Sequence, residues 1–104
     1  DMMIVRGVNV FPTQIEELIL KRPELTAHYQ CVLTREGPMD NLTVVVETRP
    51  GLAPDAPQAL AAARQLQHDV KVFVGSSIEV DLRAEGAVER SQGKAKRVVD
   101  QRPR

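Results

Sequence analysis

The run Gly93-Lys94-Ala95-Lys96-Arg97 sets one lysine between a glycine and an alanine, with two more cations behind it. A glycine frees the backbone and a small neighbour allows close packing, so the ammonium of Lys94 can be carried into an adjoining site. A compact cation delivered that way neutralises phosphate or carboxylate oxygens. The plainer reading of the same residues is a solvated basic segment, the usual fate of such clusters. A second run, Met2-Met3-Ile4-Val5-Arg6-Gly7-Val8-Asn9-Val10-Phe11-Pro12, closes an apolar stretch with Arg6 and Gly7 and puts Asn9 in a short loop before Pro12. Gly7 permits a positive φ or the close approach of a ligand to bare backbone. The plainer alternative is a strand-turn-helix junction, in which Asn9 caps a turn and Glu16 and Glu17 face the positive end of a helix dipole.

Other reactive side chains are poorly placed for chemistry. His28 precedes an extended run, has no nucleophile or carboxylate evidently placed beside it and reads as a strand-edge residue, while His68 falls off the apolar stripe of a helix and reads as solvated. Cys31, the only cysteine, lies mid-strand and reads as a small buried hydrophobe that can form no internal disulfide. Cys and His residues lack the spacing of a metal site, so no metal ligand is expected. The 14 basic residues balance 14 acidic ones and only 3% of residues are aromatic, which argues against a nucleic-acid surface. No apolar run approaches the length of a membrane span, and no secretion signal opens the chain, so a cytoplasmic protein is expected. Asp1 leads at once into apolar residues, which reads as a piece of a longer chain.

These residues must be held by a small scaffold. At 104 residues, 42% of them apolar and 27% charged, the chain reads as one globular domain with a thin core. Met2 to Val5 forms a first strand, and residues 7–12 form a tight loop. Pro12 then opens a helix whose stripe is Ile15, Leu18 and Ile19, and Pro23 stops it near Arg22. Ala27 to Thr34 alternates as a strand, residues 35–41 turn, and residues 42–48 return as the antiparallel partner. From Pro57 a longer helix carries Leu60, Ala63, Leu66, Val70 and Phe73 inward, with Gly75 as its stop. Residues 78–83 form a half-buried strand with Ile78, Val80 and Leu82 inward, and a polar stretch then leads to a final short apolar run at 98–100. The order βαββαβ predicts an α+β, ferredoxin-like sandwich, with two helices on one face of a mainly antiparallel sheet.

Taken together, DMMIVRGVNVFPTQIEE at the front and ERSQGKAKRVVD at the back resemble the carboxy-terminal domain of the adenylate-forming (AMP-binding) enzymes, most closely its phenylacetate-CoA ligase branch. The resemblance spans nearly the whole chain, and the string RGVNVFPTQIE is its more specific part. It implies that residues 1–104 are the single mobile C-terminal lid domain of a two-domain ligase, whose partner is the N-terminal adenylation domain of the same natural chain. The implied reaction uses an aryl acetate, ATP with Mg, and CoA. ATP and Mg would be bound mainly by that other domain. On the same resemblance Lys94 is the catalytic lysine, and Gly7 is the loop glycine that lies against the pantetheine arm of CoA. Arg6 and Asn9 flank it as substrate- or CoA-binding residues. Arg97, with Lys96, meets a phosphate or else faces solvent. The isolated domain is expected to be inactive, and neither nucleic acid nor a membrane is an implied partner. A rival from another class is a stand-alone ferredoxin-like domain that binds a small molecule at a sheet edge or dimer interface, which would leave Lys94 idle.

Overall fold

The computed structural model describes residues 2–90 and 97–103. The first apolar run forms β1 (Met3–Val5), and the expected loop after it contains a second strand, β2 (Val8–Val10), paired antiparallel with Val5 opposite Val8. Arg6 and Gly7 are therefore the two loop residues of a hairpin, with φ of 48° and 79°. Positive φ at both central residues is the type I′ pattern, whose twist matches that of the flanking strands.

Helix α1 (Pro12–Leu20) starts with Pro12 at its first position, where a missing N–H costs nothing. The Gln14 side chain reaches back to accept the Phe11 N–H at 2.9 Å. No acidic residue lies in the first turn, so the expected dipole role of Glu16 and Glu17 is not what these carboxylates do. Strands β3 (Leu25–Glu36) and β4 (Met39–Thr48) are longer than the sequence pattern suggests and leave only Gly37 and Pro38 between them. Their ladder is interrupted between Leu25 and Tyr29, and the exposed His28 lies in that irregularity.

Helix α2 (Pro57–Phe73) leads to β5 (Glu79–Arg83), and β6 (Val98–Asp100) is the last strand among the described residues. The main sheet has the order β5-β4-β3-β6. Its central pair is antiparallel, while β6 joins β3 and β5 joins β4 in parallel. The class is α+β as expected. In detail, the first strand stands outside this sheet in its own hairpin, because Arg6 and Gly7 turn it back on itself before it can reach the centre.

One core holds these pieces together. Tyr29, Cys31 and Leu33 of β3 and Leu42, Val44 and Val46 of β4 alternate inward and meet Ile15, Leu18 and Ile19 of α1. The buried line on α2 is Ala59, Ala62, Leu66 and Val70. Leu60 and Phe73, expected inside, are 44% and 69% exposed. Leu60 stands about 120° around the helix from Leu66, and Phe73 occupies the last turn. Two alanines take the inner face and let the helix sit close to the core.

Candidate functional site

Lys94 and the glycine before it lie outside the described residues, and so does Lys96. The residues on either side of them are closely fixed. Glu47, at the end of β4, is 1% exposed. Its Oε1 accepts the Gly86 N–H at 2.9 Å and Arg90 Nη2 at 2.8 Å. Its Oε2 accepts the Val88 N–H at 2.8 Å and Arg90 Nη1. Each carboxylate oxygen thus takes one backbone and one guanidinium donor, the bidentate geometry in which arginine holds a carboxylate best. The Arg90 guanidinium, followed by the two backbone donors, holds the Glu47 carboxyl down to about 2 against the opposing effect of burial. Arg90 also donates to the Val88 carbonyl at 2.7 Å, which ties residues 86–90 to themselves as well as to the sheet.

Arg97 anchors the chain where the described residues resume. Its carbonyl accepts the Cys31 N–H at 2.7 Å, and its guanidinium lies 4.4 Å from the centre of the Tyr29 ring. The side chain donates to the Tyr29 carbonyl at 3.2 Å and stands 3.8 Å from Glu16. Tyr29 in turn donates its hydroxyl to Glu16 at 3.0 Å. Burial and then the Glu16 carboxylate push the Tyr29 phenol well above its usual range. Glu16 therefore works sideways, bracing β3 and Arg97 rather than the helix end. Tyr29 and Val46 are partners across the ladder. Glu47 and Tyr29, the two anchors, thus occupy neighbouring places on adjacent central strands.

The front of the chain forms a separate part of the surface. Arg6 is exposed and donates to the Ser77 carbonyl at 2.9 Å, which ties the hairpin turn to the loop after α2. Arg6 and Lys71 line a groove of about 240 Å³ beside that turn. A Cβ added at Gly7 would meet nothing within 4 Å, so φ alone demands glycine and the backbone there is bare to the outside. Asn9 is exposed on β2 opposite Ile4. The three front residues named from the sequence are thus brought together on one hairpin, while Arg97 stands apart from them at the start of β6.

A network that the sequence did not reveal fixes this hairpin to the sheet. Arg102 donates to the Ile4 carbonyl and to Asp40, both at 3.0 Å, and to Asp100 at 2.9 Å. Arg35 holds the other side of Asp40 at 2.7 Å. Arg35 and then Arg102 keep the Asp40 carboxyl below its ordinary range, and Arg102 holds Asp100 down to about 2.

The remaining reactive groups are quiet. Burial pushes the Cys31 thiol up to about 12, far from a nucleophile's range. His68 is exposed on α2. Among the described residues no three His, Cys, Asp or Glu side chains gather to hold a metal ion. None of their helices is long and apolar enough to cross a membrane.

The profile of the AMP-binding enzyme C-terminal domain matches residues 7–102. The phenylacetate-coenzyme A ligase of Aromatoleum evansii is 50% identical over 109 residues, which takes in 100% of this chain and 24% of that protein. The crystal structure of a domain of phenylacetate-coenzyme A ligase from Bacteroides vulgatus superposes with a TM-score of 0.88 at 34% identity, over 99% of this chain and 94% of that one. A 2-hydroxyisobutyryl-CoA ligase, captured with 2-HIB-AMP and CoA in the thioesterification state, matches with a TM-score of 0.84 at 30% identity, over 98% of this chain and 21% of that one. The chain thus spans about a quarter of the length of the curated relative it matches.

Proposed function

The chain belongs to the AMP-binding enzyme C-terminal domain family, and from that premise we propose that it is the mobile C-terminal domain of a phenylacetate-CoA ligase. The observation that carries this reading is the 50% identity to such a ligase across the entire chain. The reaction has two steps. A carboxylate oxygen of an aryl acetate attacks the α-phosphorus of ATP and expels pyrophosphate, giving an acyl-adenylate. The sulfur of CoA, its proton lost, then attacks the acyl carbon and expels AMP. ATP would enter as its magnesium complex, held mainly by the N-terminal adenylation domain of the full-length protein, in the cytoplasm.

In this reading Lys94 acts in the first step. The reacting carboxylate and phosphate are both anionic, and a fixed ammonium offsets their repulsion where charge shifts in the transition state. The hairpin acts in the second step. Gly7 offers backbone with no side chain in the way, which suits the approach of a pantetheine arm. Arg6 stands next to it with an exposed guanidinium, and Asn9 lies on the following strand. Arg97 keeps 30% of its side chain accessible while braced on Tyr29, so a phosphate of CoA or AMP can meet its outer edge.

The test is Lys94→Ala in the full-length ligase, with the half-reactions measured separately. Acyl-adenylate formation, followed by pyrophosphate exchange, should fall by orders of magnitude. Thioester formation from supplied acyl-adenylate should be spared. Equal loss in both steps, or none, overturns the assignment. The 104-residue domain alone should make no phenylacetyl-CoA, and detecting that product would contradict the two-domain reading.

A further inference from the structure

We infer that Arg6 and Lys71 together form a subsite for the phosphate groups of CoA, with Lys71 as a further binding residue of the thioester step. This rests on the assignment of the Gly7 hairpin to that step. Arg6 comes from the β1–β2 turn and Lys71 from the last turn of α2, and the two line one groove of about 240 Å³. Both are exposed, and among the described residues neither pairs with a carboxylate. Arg35, Arg90 and Arg102, by contrast, spend their charge on Asp40, Glu47 and Asp100. Arg6 gives its Nη2 to the neutral Ser77 carbonyl at 2.9 Å, which orients the guanidinium without cancelling it. None of the described residues lining the groove is acidic.

Two observations point to an anion as the occupant. A single cation in the last turn is enough to complement the negative end of α2, yet a second arrives from a separate hairpin. Arg6 is also the one non-glycine residue with a positive φ among the described residues, at 48°. Asparagine or glycine takes that turn position more easily, so what recommends arginine there is its side chain. A CoA molecule whose pantetheine arm lies against the bare Gly7 backbone carries its diphosphate at the far end of that arm, with the ribose phosphate beyond. The groove adjoins that turn, and Val5 and Val8 line it as well. Guanidinium and ammonium both suit phosphate oxygens, the first through its planar fork and the second as a mobile point charge.

The experiment compares thiol acceptors in the full-length ligase, with thioester formation measured from supplied acyl-adenylate. Lys71→Ala, a substitution that an exposed helical position accepts, should raise the KM for CoA roughly 5- to 10-fold, leave kcat within about 2-fold and leave pyrophosphate exchange unchanged. With pantetheine, which has no phosphate, parent and variant should share one kcat/KM. Adenosine 3′,5′-bisphosphate, the nucleotide end of CoA without its arm, should compete with CoA and weaken by the same factor in Lys71→Ala. Dephospho-CoA separates the two phosphate sources. A loss as large as with CoA puts the diphosphate in the groove, and no loss puts the ribose phosphate there. Lys71→Arg keeps the charge and should restore most of the affinity. Arg49→Ala removes an equal charge beyond the far end of the β4–β5 ladder and should change neither constant. A KM for CoA unmoved by Lys71→Ala, an equal loss with pantetheine, undiminished competition by the bisphosphate, or an equal loss in Arg49→Ala each overturns the inference while leaving Gly7 in its role. If the parent ligase forms no CoA thioester at all, the functional assignment falls and this inference with it.

Discussion

Glu47 and Arg90, 43 residues apart in sequence, meet as a bidentate ion pair that joins the end of β4 to the chain leading toward Lys94. The carboxylate is buried and fully supplied with donors, so its loss cannot be made good by water. Glu47→Gln keeps the volume but sets an amide N–H₂ against N–H donors. The domain should lose about 2 kcal/mol of stability, read from chemical denaturation.

The same pair makes the domain sensitive to acid. Glu47 binds its proton at about 2 in the folded chain and near 4.5 when unfolded. The unfolded state therefore takes up protons first, and the Glu47 contribution is complete above pH 4.5 and lost as pH falls toward 2. Denaturation midpoints measured across that range should decline in the parent domain. The decline should be shallower in Glu47→Gln.

Gly7→Ala should destabilise the domain by about 1 kcal/mol, since alanine must adopt a φ it disfavours. No clash contributes, because the space around an added Cβ is empty. In the full-length ligase the same methyl should impair thioester formation more than pyrophosphate exchange. A change confined to adenylation would detach Gly7 from the CoA step.

Tyr29→Phe removes a hydroxyl that serves both Glu16 and the Pro12 carbonyl, at 3.0 and 3.2 Å. The ring and its stack with Arg97 survive. A loss of about 1 kcal/mol is expected, and thermal melts would show a much larger loss if the ring packing depended on that hydroxyl.

Arg102→Ala should lower the melting midpoint by a few degrees, on the order of 4–8 °C for a domain of this size. It breaks contacts with Ile4, Asp40 and Asp100 together. The difference from the parent should shrink in high salt, which screens partly exposed pairs.

Much of this architecture was legible in the amino-acid order. The stripe Ile15, Leu18, Ile19 and the alternation of Leu42, Val44 and Val46 mark faces that the core does bury. Pattern failed where shape or distance decides. Leu60 looks more apolar than Ala59, yet the alanine is inside, because close packing of α2 favours the smaller side chain. Val8 to Val10 reads as loop because three residues carry too little periodicity to mark a strand, although Arg6-Gly7 between two short apolar runs is the available hairpin signal. Glu47 falls on the outward parity of β4, and nothing local tells that residues 86–90 will cover it. The partners of Arg102 lie as far as 98 positions away, beyond any local pattern. The candidate site shares that division: Lys94, Gly7 and Arg97 stand out by residue type, while the contacts of Arg6 with Ser77 and of Arg97 with Tyr29 emerge only from the folded chain.

Arg102 grips the carbonyl of Ile4 from the opposite end of the sequence, so the small hairpin is tied to the sheet by a residue that also holds Asp40 and Asp100. The two ends of the chain, Met3 to Val5 and Asp100 to Arg102, are thereby held side by side against the same edge of the domain.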